Sequence, residues 1–137
     1  MSLKTNCLII NSYYQAVEIV KICKKNNIVP ILFIKYYLIN GLGIDWFYEL
    51  MEMLQKEFKS KDFKICVETK KNYALFIALV EKKINFVNVQ ADYKTMKRLR
   101  QIAKLNKVSV NPDFSVVDIA KSKNVRAKLK KLYNKIL

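Results

Sequence analysis

The chain has 137 residues, with 26 Lys and Arg against 11 Asp and Glu for a formal net charge of +15, and is 52% hydrophobic and 12% aromatic. That length suits one domain able to bury roughly 70% of the surface its unfolded form exposes, and the composition lies outside the polar regime of disordered chains. Histidine is absent, which excludes the commonest general base, the Ser-His and Cys-His nucleophile pairs, and His-bearing metal sites.

No apolar run approaches the roughly 20 residues of a transmembrane helix; the longest is Ile28 to Ile34. Cys7 to Ile10 is too short for the core of a signal peptide, so a cytoplasmic location is expected. Cys7, Cys23 and Cys66 are odd in number, widely spaced and set in apolar surroundings, which predicts buried core thiols rather than a disulfide framework or a metal site. No cofactor is implied. Lys, Asn and Ile are abundant together, as an AT-rich genome imposes, so part of the positive charge has a mutational explanation.

In chain order, the continuous run Cys7 to Ile10 reads as a buried strand. Ala16, Ile19, Val20 and Cys23 recur at helical spacing within Tyr14 to Lys25 and predict the first helix. Ile28 to Ile34 reads as a second strand, with Pro30 near its start. Tyr36 to Ile44, which holds both glycines, is expected to be the longest loop, and Asp45 to cap a helix buried through Phe47, Leu50, Leu54 and Phe58. Phe63 to Val67 alternates as a third strand, Asn72 to Lys83 is a strongly apolar helix, and Phe86 to Val89 a fourth strand. A basic helix over Tyr93 to Leu105 and a short edge strand, Val108 to Val110, follow. Ser115 and Asp118 have the spacing of a capping box and predict a helical turn. The last helix, Val125 to Ile136, should dock through Val125, Leu129 and Leu132.

Five alternations without a hairpin signal predict a single three-layer α/β domain over residues 1–137. It has about five mostly parallel strands and helices on both faces, a flavodoxin-like or Rossmann-like outline. A strand order of 2-1-3-4-5 is the expectation by analogy. The outline is similar to that of a two-component receiver domain, but the required residues differ. Asn11 and Ser12 stand where receivers carry an acidic pair, Glu68 stands for the phosphorylated Asp, and Asn111 for the Lys before Pro112.

Two groups of residues are candidate sites. The first is a basic face on the last two long helices, Lys94, Lys97, Arg98, Arg100 and Lys104 with Arg126, Lys128 and Lys131. Packed side by side, those helices would present an anion-binding surface to nucleic acid or another anionic partner. The second is a ring at the carboxyl ends of the strands, Glu68, Lys71, Gln90 and Asp92, where open parallel sheets collect metabolites or metals. Without a complete catalytic motif the first reading is a non-catalytic module, and the second an enzyme-like binding domain. A third is a self-associating scaffold or homodimer, suggested by Tyr13, Tyr14, Tyr36, Tyr37 and Trp46.

Overall fold

The computed structural model describes residues 5–119, 121 and 123–133. Strand β1 (Thr5–Ile9) leads to α1 (Tyr13–Lys25), β2 (Ile31–Ile34), the short helix α2 (Tyr36–Leu42), α3 (Ile44–Glu57) and a 3-10 turn (Ser60–Asp62). Then come β3 (Lys64–Glu68), α4 (Tyr73–Glu81), β4 (Phe86–Asn88), α5 (Tyr93–Leu105), β5 (Ser109–Val110), β6 (Phe114–Asp118) and α6 (Val125–Tyr133). Among the described residues the expected α/β alternation is present as one sheet of six strands, ordered β5-β4-β3-β2-β1-β6, with every pairing parallel.

Three helices end alike. After α1, α4 and α5 the chain turns through a left-handed residue, Asn27, Lys83 or Lys107, at φ 59°, 58° and 59°. The next residue, Ile28, Ile84 or Val108, donates its N–H back to the carbonyl of Cys23, Leu79 or Ala103. Each closure satisfies the last carbonyls and returns an apolar side chain to the core where the chain re-enters the sheet.

Two elements differ from the sequence expectation. The segment expected as a loop contains α2, seven residues held by buried Leu38 and Ile39, and Gly43 at φ 91° makes the break before α3. Asp45 accordingly lies in the first turn of α3 rather than at its cap. The predicted helical turn at Ser115 to Asp118 is instead β6, paired along its whole length with β1. Pairing with β1 and the β-preferring Val116 and Val117 outweigh the local capping pattern. The last helix is observed to Tyr133, and Ile136 lies outside the described residues.

Strand order is not the 2-1-3-4-5 expected by analogy. Strands β1 to β5 advance in one direction, and right-handed crossovers then place the connecting helices on one face. Side chains of one parity, Leu8, Leu32, Ile34, Ile65, Val67 and Val87, accordingly join the buried residues of all six described helices in one core. The second face holds a smaller core of strand residues. Cys7, Ile9, Ile31, Phe33 and Cys66 form it, with Phe86 and Phe114 packed against it.

That second face is turned in on itself. β5 and β6 stand at opposite ends of the pairing order, yet only Asn111, Pro112 and Asp113 separate them. Flat, those ends would lie five strand spacings apart, about 24 Å. The link between Val110 and Phe114 reaches at most about 14 Å. The sheet must therefore roll. Two observations agree: the rings of Phe86 on β4 and Phe114 on β6 meet edge to face at 4.9 Å, and Cys7 and Cys66, on strands separated by β2, share one buried cluster. The segment from Ser109 to Asp118 lines β4 at its start and β1 at its end, so the chain itself joins the two edges. Asn111, at φ 49°, seals the bend: its side-chain amide accepts from the Val89 N–H at 2.7 Å and donates to the Val89 carbonyl at 2.9 Å.

Candidate functional site

A parallel sheet brings all its carboxyl ends to one end of the molecule, and here that end forms a mouth. β3 and β4 are neighbours, so Glu68 and Gln90 come together. With Lys70, Asn88, Val89, Asn111 and Pro112 they line a recess of about 290 Å³. Lys71 is outside that lining, and Lys70, in a left-handed turn at φ 50°, takes its place.

The carboxylates of the predicted ring have structural duties. Glu68 Oε1 accepts from the Tyr36 N–H at 3.0 Å, capping from β3 a helix whose own N-cap residue, Lys35, makes no side-chain cap. Asp92 caps α5 by accepting from the Thr95 N–H at 2.8 Å, and that bond, with a second from the Thr95 side chain, holds its carboxyl below the usual range. Among the described residues no cluster of three or more His, Cys, Asp or Glu side chains could hold a metal ion.

Tyrosine marks the same end. The four helices that directly follow β1, β2, β3 and β4 each open on one: Tyr13, Tyr36, Tyr73 and Tyr93. With Tyr14 and Tyr37, this places six of the chain's eight tyrosines at the mouth. Tyr13, Tyr36 and Tyr73 pack partly against the core, while Tyr14, Tyr37 and Tyr93 are 82%, 54% and 85% exposed. Neighbouring groups orient several of the rings. The Tyr37 hydroxyl donates to Asn11 at 2.8 Å, the Tyr73 hydroxyl to the Gln90 carbonyl at 3.1 Å, and the Tyr13 and Tyr14 rings meet edge to face at 5.7 Å. Trp46, grouped with these aromatics by composition alone, packs against the main core on α3. Composition shows the tyrosines; their recurrence just after each apolar strand is the signal that places them on one rim.

The basic residues sit on two separate helices. Lys94, Lys97, Arg98, Arg100 and Lys104 are all exposed on α5, whose fully buried side is only Leu99 and Ala103. Packing joins α5 to α4 and β5, and α6 to α1, so the two runs do not form one side-by-side pair. Arg100 donates to the Val110 carbonyl at 3.3 Å, and with Lys104 and Lys107 it lines a shallow recess against β5. On α6, Arg126 borders a cavity of about 560 Å³ with Lys21, Lys24, Lys25, Glu57 and an apolar floor of Ile22 and Phe58. Lys21 pairs there with Glu57 at 3.8 Å. Lys128 and Lys131 are exposed on the same helix.

Comparison with protein-family models, curated proteins and solved structures finds no match.

Proposed function

We propose that the protein is a non-catalytic α/β module that binds an anionic polymer, with nucleic acid as the partner class. The observation that carries this reading is α5. Its five cations are exposed, and among the described residues none of them enters an ion pair, so their charge is free for a partner. A helix of 13 residues is about 20 Å long, which matches roughly a dozen phosphates of a duplex. Lysines predominate over arginines in the chain's basic runs, which suits backbone neutralisation better than bidentate reading of base edges.

The test is fluorescence anisotropy of a labelled mixed-sequence oligonucleotide between about 50 and about 200 mM salt. Binding should weaken steeply with salt, and the variant Lys97→Glu, Arg98→Glu, Lys104→Glu should bind at least tenfold more weakly with a shallower salt slope. Absence of binding at the lowest salt overturns the proposal.

A further inference from the structure

We infer that the mouth at the carboxyl ends of the strands takes up single-stranded nucleic acid, with unpaired bases stacking on its exposed tyrosines; this rests on the nucleic-acid reading above. Three solvent-exposed rings, Tyr14, Tyr37 and Tyr93, stand on one rim, and nothing in the fold requires such apolar area in water. Every base has a π-face, so rings of this kind hold single strands without sequence preference, whereas a duplex keeps its bases stacked on each other.

The charge of the rim fits the same occupant. Lys35, Lys70, Lys71 and Lys94 are interleaved with the tyrosines, while Glu68 and Asp92 are engaged with the backbone N–H groups of Tyr36 and Thr95. Helices α1, α4 and α5, which directly follow β1, β3 and β4, also direct their amino ends, the positive ends of their dipoles, at this end of the sheet.

The recess at the strand ends, lined by Glu68, Gln90 and Asn111, adds a place for a base edge. At about 290 Å³ it lies at the lower limit of small-molecule pockets, so it admits one small planar group but not a dinucleotide. Its amides differ in what they have left to offer. Asn111 is spent on Val89 and Asn88 Oδ1 receives the Cys66 thiol at 3.8 Å, whereas the exposed Gln90 amide and the second Glu68 oxygen remain for hydrogen bonds to a ligand.

The experiment compares labelled 20-nucleotide single-stranded DNA, single-stranded RNA and the matching DNA duplex by anisotropy, using the full chain and the variants Tyr14→Ala, Tyr37→Ala, Tyr93→Ala and Tyr37→Phe. Single strands should bind more tightly than duplex, and each Ala variant should lose about tenfold. Tyr37→Phe, which keeps the ring and gives up only the bond to Asn11, should bind like the parent. RNA and DNA binding alike points to rings and phosphates; tighter RNA binding adds a contact to the 2′-hydroxyl. Unchanged single-strand affinity in a triple Ala variant overturns the inference. If the α5 charge reversals abolish that binding nonetheless, the general nucleic-acid reading stands without it. Light scattering that shows a dimer broken by the same Tyr→Ala changes would assign the rim to self-association and overturn the inference as well.

Discussion

Single side chains in this molecule are held by local chemistry that pH and reagents can probe. Asp62 closes the 3-10 turn by accepting from the Lys59 N–H at 3.0 Å and reaches Lys24 at 3.3 Å. The Lys59 bond first, and Lys24 next, hold its carboxyl below the usual range against the opposing effect of burial. A depressed folded-state value contributes stability above the unfolded value of about 4, and this is lost as pH falls through the folded value. Asp62→Ala should therefore lower the urea midpoint at pH 7 and lower it much less at pH 3. The thiols behave oppositely. Burial pushes Cys23 up to about 11, and the hydrogen bond with Cys7, followed by burial, pushes Cys66 upward. Native protein at pH 8 should release no colour with a disulfide reagent, and all three thiols should react in denaturant.

At the scale of elements, the left-handed closures are a stability reserve. Lys83 and Lys107 adopt a backbone conformation that costs an L-residue roughly 1 to 2 kcal/mol, so Lys83→Gly should raise stability by about 1 kcal/mol in chemical denaturation. The sealed bend has the opposite sensitivity. Asn111→Ala removes both bonds to Val89 and should cost about 2 kcal/mol, with no loss expected at the distant α1–α6 packing. Helices α1, α3, α4 and α5 were legible in the sequence because Ala16, Ile19, Phe47, Leu54, Phe76 and Leu99 recur at helical spacing and are buried as that spacing requires. α2 and β6 were not, because their identity is tertiary. Two glycines and a capping pattern speak for loop and turn, and only the buried Leu38 and Ile39, or the neighbouring β1, reverse that. The meeting of Glu68 and Gln90 followed from strand ends alone. The separation of α5 from α6 did not, since it depends on a strand order that no local pattern encodes.

At the scale of the whole molecule, the rolled sheet makes the last strand the partner of the first. A chain ending at Asp113 would lack β6 and α6, leaving one edge of β1 unpaired and uncovering the core at Val125 and Leu129. Such a truncation should lose its cooperative thermal transition by circular dichroism. The same geometry constrains biosynthesis. A ribosome makes β1 before β6, so while the intervening units β2 to β5 emerge, β1 waits with one side bare. Nascent protein should therefore become resistant to protease only once β6 has emerged, and a chain stalled before β6 should offer that bare edge to holding chaperones.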